Sequence, residues 1–170
     1  MDDLSRRSGG RKAKSVVFTA EQIATRVASL GREITAAYPD GDLLLLGLLK
    51  GSFIFLADLV RAVERPLQVD FLVASSYGSG TVSSGNVRLL YDPATDLAGK
   101  HIVVVEDIID SGRTLTRLVE LLRARHPASL AICTLLDKQI APEPPAELRF
   151  VGFHAPPAFL VGYGLDHEIG

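Results

Sequence analysis

A group of acidic and small polar side chains follows an apolar stretch near the middle of the chain. Glu106 and Asp107 come directly after residues 102–105, and Asp110 begins a polar turn that continues over residues 111–114. Backbone N–H groups at the start of a helix bind phosphate, especially where small residues permit a close approach. Carboxylates repel phosphate, but they accept hydrogen bonds from sugar hydroxyls and help to hold hydrated magnesium. The combination therefore predicts a site for a sugar phosphate.

Other interpretations of this segment fit its residues less well. The sequence has neither a Gly-x-x-x-x-Gly-Lys-Ser/Thr loop nor a Gly-x-Gly-x-x-Gly turn, the usual phosphate-binding motifs of nucleotide-binding proteins. An ordinary acidic cluster that complements a helix dipole would account for Asp110 alone. It does not account for Glu106, Asp107 and Asp110 together, directly after an apolar strand. This pattern favours a functional site.

Alternating apolar segments predict the elements that must position this site. Thr19 and Gln22 form a capping-box pattern at the start of a first helix. Apolar residues at helical spacing predict helices over 23–34, 53–63 and 115–122. Short apolar runs predict strands over 16–18, 43–49, 67–74, 87–91, 102–105 and 130–136. This alternation predicts an α/β fold with a central, mainly parallel sheet flanked by helices.

Three segments fall outside that pattern. Residues 75–85 are rich in Ser and Gly and predict a mobile loop. Residues 150–163 are interrupted by Pro156 and Pro157, and they predict a small hood or edge rather than more of the sheet. Residues 1–15 are rich in Arg and Lys and predict a disordered basic tail, which leaves residues 16–170 as a single domain.

Length and composition limit the class of protein. The chain has 170 residues, 47% of them hydrophobic, and a formal net charge of −2. These values are typical of a globular domain and give no general reason to expect nucleic-acid binding, although a basic tail leaves contact with a polyanion open. Cys133 lies in an apolar run and is predicted to be buried. The absence of an apolar leader or a transmembrane run predicts a cytoplasmic protein without membrane contact.

The segment after residue 102 closely resembles the phosphoribosyl pyrophosphate signature of type I phosphoribosyltransferases. Further segments resemble motifs of the hypoxanthine-guanine branch of that family. In chain order they are the pyrophosphate loop at 49–52, the start of the flexible catalytic loop at 75–78, the stretch with the base-recognition lysine at 135–138, and the purine-binding segment at 159–166. Together these motifs span most of the chain in the family's order, which makes the resemblance specific.

The resemblance implies a role for each matching residue. Asp110 resembles the family's proposed general base, which takes or holds the proton at the purine N7. Glu106 and Asp107 resemble the residues that hold the ribose hydroxyls and a nearby magnesium ion. The other residues implied to bind substrate are Lys50 and Gly51 for pyrophosphate, Ser76 and Tyr77 in the closing loop, Ser111, Gly112, Arg113 and Thr114 for the 5-phosphate, and Lys138, Phe159, Leu160 and Asp166.

Four of these residues carry the implied recognition of the base and of a second metal ion. Lys138 would donate a hydrogen bond to the six-position oxygen of hypoxanthine or guanine, which disfavours adenine. Phe159 would stack on the purine ring, and the Leu160 backbone would face the edge of the base. Asp166 would hold a second magnesium on the pyrophosphate. Taken singly, three of these residues have structural alternatives: Lys138 could be a solvated lysine, Phe159 a core residue and Asp166 a turn cap.

The reaction implied by the resemblance is transfer of the phosphoribosyl group of phosphoribosyl pyrophosphate to hypoxanthine or guanine, with magnesium as cofactor. The resemblance also implies a homodimer or homotetramer and a cis peptide bond between Leu49 and Lys50. Two alternatives stay open: a related enzyme that prefers xanthine, and a non-catalytic regulator that senses phosphoribosyl pyrophosphate and binds nucleic acid. The presence of Asp110 together with Lys50 and Lys138 argues against the regulator, because a sensor needs no general base.

The match departs from the family near the C-terminus. After Asp166 the chain continues over residues 167–170 with His-Glu-Ile-Gly, whereas family members usually carry an aromatic residue and then a Tyr-Arg-like pair. Pro157 and Ala158 stand where the family often has Asp-Lys. The family arginine that approaches pyrophosphate has no counterpart here. We therefore expect a raised Michaelis constant for phosphoribosyl pyrophosphate relative to longer relatives.

Overall fold

The computed structural model describes residues 14–77 and 86–165. Helices and strands follow one another in the order α1 (Ala20–Ala37), β1 (Leu43–Leu48), α2 (Phe53–Ala62), β2 (Gln68–Tyr77), β3 (Asn86–Tyr91), β4 (His101–Ile109), α3 (Arg113–Arg123), β5 (Ser129–Asp137) and β6 (Leu148–His154). The predicted helices and most of the predicted strands are confirmed. Nearly all of the predicted basic tail lies outside the described residues, as do Asp166 and residues 78–85 of the predicted loop.

The strands form a six-stranded sheet in the order β3-β2-β1-β4-β5-β6. Neighbouring strands run parallel except for β2 and β3, which pair in the antiparallel direction. The predicted α/β fold with a central, mainly parallel sheet is therefore confirmed. Because β1, β4 and β5 run in the same direction, the loops that follow them meet at one edge of the sheet.

Alternate residues of β1 point to opposite faces of the sheet and enter two separate apolar cores. Leu43 and Leu45 pack in a core shared with α1 and α2. Leu44 and Leu46 pack in a second core shared with α3. All four side chains are buried, so helices on both faces explain the uninterrupted apolar run of this strand.

The start of α1 is capped by side-chain hydrogen bonds, and its second turn is bonded to the outer strand β6. The Thr19 side chain accepts a hydrogen bond from the Gln22 N–H (3.1 Å), and the Gln22 side chain accepts one from the Thr19 N–H (2.8 Å), as the capping-box pattern predicts. The Arg26 guanidinium then donates to the carbonyls of Gly152 (2.8 Å) and Val151 (2.6 Å). These bonds hold α1 on β6, the last strand of the sheet.

Helices α1 and α2 approach each other closely at Gly31. A Cβ atom at this position would clash with the carbonyl group of Ala62, and a backbone carbonyl cannot move aside as a side chain can. We therefore expect Gly31→Ala to lower the free energy of unfolding by about 1–2 kcal/mol, because overpacking outweighs the better helix propensity of alanine. Chemical denaturation would measure this change. Ala36→Ser is the matched control, since it adds one heavy atom at an exposed position of the same helix; equal stability of both variants would contradict the close contact.

Three expectations about the boundaries of the sheet were wrong. Residues 16–18 are not a strand; Phe18 instead stacks on Phe153, with ring centroids 4.3 Å apart. Residues 150–154 lie at an edge but are part of the sheet, because they form β6, its last strand, and pair with β5. Residues 75–77 are not loop residues, because they continue β2 in its ladder with β3. In each case long-range pairing or packing, which local composition does not encode, decides the conformation.

Candidate active site

The turn between β4 and α3 forms a cavity at the open edge of the sheet. The cavity has a volume of about 170 Å³ and is lined by Glu106, Ile108, Ile109, Asp110, Ser111, Gly112, Arg113, Thr114 and Leu115. It therefore brings together all of the predicted residues of the sugar-phosphate segment except Asp107. Its size suits a phosphate group and part of a sugar, with the remainder of a ligand extending into solvent.

Gly112 gives the turn its shape. Its backbone is left-handed (φ 72°, ψ 0°), a conformation that favours glycine, and it directly precedes the first residue of α3. Glycine has no side chain to cap the helix, so the first N–H groups of α3 are directed at the cavity without a competing cap. Ser111 and Thr114 are exposed beside them and can add hydroxyl donors. The end of α3 is therefore suited to bind a phosphate.

Glu106 and Asp107 lie at the base of this turn, near the end of β4. Asp107 donates its backbone N–H to Glu106 Oε1 (2.9 Å), and Ile108 donates its N–H to Asp107 Oδ1 (2.8 Å). Burial, together with the hydrogen bond and the negative charge of Asp107, raises the pKa of Glu106 well above its usual value. Sugar hydroxyls or a cation near these carboxylates would stabilise their ionised forms.

The donor atoms of these two carboxylates suit magnesium, which prefers oxygen ligands and keeps several waters. Within residues 14–77 and 86–165 no group of three or more His, Cys, Asp and Glu side chains is placed to hold a metal ion. A metal at this edge would therefore depend on ligand oxygens and water in addition to Glu106 and Asp107. The third predicted metal ligand, Asp166, lies beyond the described residues.

The predicted base and the predicted base-recognition lysine lie in contact across neighbouring strands. Lys138 Nζ is 3.2 Å from Asp110 Oδ2, with the lysine side chain 15% exposed and the aspartate side chain 57% exposed. The Lys138 backbone N–H donates to the Ile109 carbonyl (3.1 Å), which extends the pairing of β5 with β4. Two residues 28 positions apart in the chain are thus in contact at the rim of the cavity, which Asp110 lines and Lys138 does not.

Asp137 was not singled out from the sequence, yet it shapes the turn that presents Lys138. Its carboxylate accepts a hydrogen bond from the Gln139 N–H (2.9 Å), and Gln139 has the left-handed backbone angle φ 55°. Asp137 is also buried. A local sequence signal for this role exists, because an Asp whose side chain accepts from the N–H two residues later is a common turn pattern.

The predicted pyrophosphate loop lies beside Glu106. Gly47 pairs with Val105 across β1 and β4, so the loop that follows Leu48 comes out at the same edge of the sheet. The Leu49–Lys50 peptide bond is cis, as the resemblance implied. Ser52 is buried and donates to the Leu48 carbonyl (2.7 Å), which closes the loop before α2 begins. Lys50 is exposed and Gly51 is buried.

The predicted purine-binding segment follows β6 and packs beside α2. Phe159 is largely exposed, whereas Leu160 is partly buried against the core between the sheet and α2. Tyr163 donates its hydroxyl to Asp58 Oδ2, a contact that the sequence did not predict. Ser76 and Tyr77 lie at the end of β2, where they pair with Val87 and Asn86. The structure thus places every described candidate at or next to the open edge of the sheet.

The chain matches a known protein family over most of its length. The family model described as the phosphoribosyl transferase domain matches residues 16–168. The chain belongs to the phosphoribosyltransferase family. Within the described residues no helix is long and apolar enough to cross a membrane.

Individual relatives narrow the family to one branch. The chain is 50% identical over 154 residues to the hypoxanthine phosphoribosyltransferase of Salmonella typhimurium, covering 89% of this chain and 86% of that protein. It is 50% identical over 161 residues to the hypoxanthine-guanine phosphoribosyltransferase of Mycobacterium avium, covering 91% and 79%. The crystal structure of a hypoxanthine phosphoribosyltransferase from Staphylococcus aureus superimposes with a TM-score of 0.86 at 38% identity, covering 92% and 85%. These relatives place the chain among the hypoxanthine(-guanine) phosphoribosyltransferases.

Proposed function

We propose that this protein is a purine salvage enzyme that transfers the phosphoribosyl group of phosphoribosyl pyrophosphate to hypoxanthine or guanine, giving IMP or GMP and pyrophosphate. The observation that carries the proposal is the contact of Lys138 with Asp110 (3.2 Å) beside the open N-terminus of α3. A cationic donor and a carboxylate suit the polar edge of an oxopurine, and the helix terminus suits the phosphate of the sugar.

The sugar phosphate is bound by residues of one continuous segment. The N–H groups of residues 111–114 and the hydroxyls of Ser111 and Thr114 hold the 5-phosphate. Glu106 and Asp107 accept hydrogen bonds from the ribose hydroxyls. Magnesium would be held near Glu106 and Asp107, with Asp166 as a second site, and when bound it neutralises charge on the pyrophosphate as that group leaves.

The base is recognised where β4 and β5 end. Lys138 donates to the six-position oxygen of hypoxanthine or guanine, whereas the amino group of adenine would face it with a second donor. Such an unsatisfied buried pair costs about 1–3 kcal/mol. Asp110 accepts the proton at the purine N7 while the opposite ring nitrogen attacks the sugar. Phe159 stacks on the ring, and the Leu160 backbone faces its edge.

The reaction replaces the bond from the anomeric carbon to pyrophosphate with a bond to the purine nitrogen. The anomeric carbon gains positive character as the old bond breaks, so nearby carboxylates stabilise it and water must be kept away. Lys50 and the backbone of Gly51 hold the departing pyrophosphate. Closure of the segment that follows β2, next to Ser76 and Tyr77 at the end of that strand, supplies the exclusion of water.

The proposal extends to the assembly and location of the enzyme. We infer a homodimer or homotetramer, supported by the resemblance to the family. We also infer a cytoplasmic location, supported by the same resemblance. Light scattering of the purified protein and fractionation of cells would test these two points.

The direct test is incubation of the full chain with phosphoribosyl pyrophosphate, magnesium and each purine base in turn, followed by chromatography of the nucleotides. We expect IMP and GMP, and little AMP. XMP as the dominant product would instead support the xanthine-preferring alternative. No nucleotide from any base, together with a salt-dependent shift of RNA or DNA in a gel, would overturn the proposal in favour of a regulator.

A further inference from the structure

The purine-binding segment is fastened to α2 by two adjoining contacts. The Tyr163 hydroxyl donates to Asp58 Oδ2, and Arg61 pairs with the other oxygen of the same carboxylate, Oδ1. At the next residue the backbone packs tightly on the first turn of α2, since a Cβ on Gly164 would lie 2.6 Å from Ile54 Cγ1. Tyr163 and Asp58 are 105 positions apart in the chain, so this bond joins separate parts of the fold.

The surroundings of Tyr163 keep the donor of this contact protonated. Tyr163 is partly buried, and burial, followed by the hydrogen bond and charge of Asp58, raises the pKa of its hydroxyl. The phenol therefore remains a donor at neutral and moderately alkaline pH. A hydrogen bond to a charged acceptor is also stronger than one between neutral groups.

The position of α2 gives the contact a consequence for the site. This helix begins at Phe53, directly after the loop that contains Lys50 and Gly51. The other end of the contact lies in the segment that carries Phe159, only a few residues before Tyr163. Helix α2 thereby contacts both the predicted pyrophosphate loop and the predicted purine-binding segment. The Tyr163–Asp58 bond holds the purine-binding segment against this helix.

We propose that Tyr163 and Asp58 are positioning residues that hold residues 159–165 in the conformation that binds the purine base. This inference rests on the proposed function of the site. In this proposal neither side chain contacts the substrate. Their effect is to order the segment before the base arrives, so that binding does not have to supply the cost of ordering it.

Kinetics of Tyr163→Phe in the full chain test the inference. We expect the Michaelis constant for hypoxanthine to rise about 5- to 20-fold, as expected for loss of part of a charged hydrogen bond. The Michaelis constant for phosphoribosyl pyrophosphate and kcat should change by less than about threefold, because the 5-phosphate is held at α3. Tyr91→Phe on the edge strand, whose side chain is exposed, is the matched control and should match the parent chain.

Variants of the acceptor separate positioning from a general effect on stability. Asp58→Asn keeps an acceptor oxygen but loses the charge, so its Michaelis constant for hypoxanthine should lie between those of the parent chain and Asp58→Ala. Asp58→Ala should reproduce Tyr163→Phe, and the double variant should add little. Equal losses for both substrates, in step with a lower melting temperature, would overturn positioning. So would an unchanged Michaelis constant for hypoxanthine.

Amide hydrogen exchange provides a measurement that does not depend on turnover. Peptides that cover residues 159–165 should exchange faster in Tyr163→Phe and Asp58→Ala than in the parent chain, while peptides from α3 should not change. Unchanged exchange in residues 159–165 would overturn the inference even if the parent chain formed no nucleotide. A parent chain that forms no nucleotide would refute the proposed function, so the two failures are distinguishable.

Discussion

Asp110→Asn is expected to lower kcat for IMP formation by about 10²- to 10⁴-fold, the usual contribution of a positioned general base, which is the role that we propose for Asp110. The substitution preserves the shape of the side chain and an oxygen for Lys138 Nζ, which lies 3.2 Å from the carboxylate. It removes the capacity to take the proton from the purine N7. Steady-state turnover with hypoxanthine, and a direct binding measurement with phosphoribosyl pyrophosphate, would separate catalysis from binding.

The chain offers a close control for this variant. Asp42 is also an exposed aspartate, 77% accessible, that pairs with a lysine, Lys100, at 3.7 Å. It lies directly before β1, at the amino ends of the parallel strands, whereas the cavity lies at their carboxyl ends. Asp42→Asn should leave kcat within about twofold of the parent value, as for other surface substitutions away from a site. Equal turnover of Asp110→Asn and the parent chain would reject Asp110 as the base.

Lys138→Met is expected to raise the Michaelis constant for hypoxanthine by about 10- to 100-fold, because a hydrogen bond from a charged donor contributes about 1.5–3 kcal/mol. Methionine retains an unbranched stem of similar length but offers no donor. The preference for hypoxanthine over adenine should fall at the same time, since the group that disfavours the adenine amino group is gone. Competition between the two bases in one reaction would measure that preference.

Lys100→Met provides the matching control. The Lys100 side chain is 18% exposed and pairs with an aspartate, as the Lys138 side chain, 15% exposed, does. The two substitutions therefore remove similar charges from similar surroundings, one at each edge of the sheet. A base preference that stays unchanged in Lys138→Met would show that another group recognises the six-position oxygen.

Local sequence patterns predicted the parts of the fold that depend on neighbours in the chain. The apolar run at 43–49 predicted a strand covered on both faces, and Leu44 and Leu45 indeed enter opposite cores. Thr19 and Gln22 predicted the start of α1, and the observed capping box confirms it. The turn at residues 110–114 also follows the prediction, because a buried strand, a glycine and a helix start are encoded within a few residues.

Contacts between distant parts of the chain could not be predicted in this way. Nothing near Lys138 in the sequence indicates that its side chain meets Asp110, because that contact depends on the pairing of β4 with β5. Neither Asp58, in a helix, nor Tyr163, in a turn, has a local sequence signal for their contact, because tertiary packing brings them together. Pro156 and Pro157 interrupt the pattern after residue 154, so local sequence predicts a hood or edge there, whereas pairing with β5 makes residues 150–154 part of the sheet.

The hydrogen bonds from Arg26 to the outer strand bear on how the protein behaves at high concentration. Unsatisfied carbonyls along the last strand of a sheet are a template on which a second chain can add its own strand and begin aggregation. Here a guanidinium from α1 occupies the carbonyls of Val151 and Gly152. The same helix that packs on the core thereby leaves fewer free acceptors on β6, which disfavours the addition of a strand from a second chain.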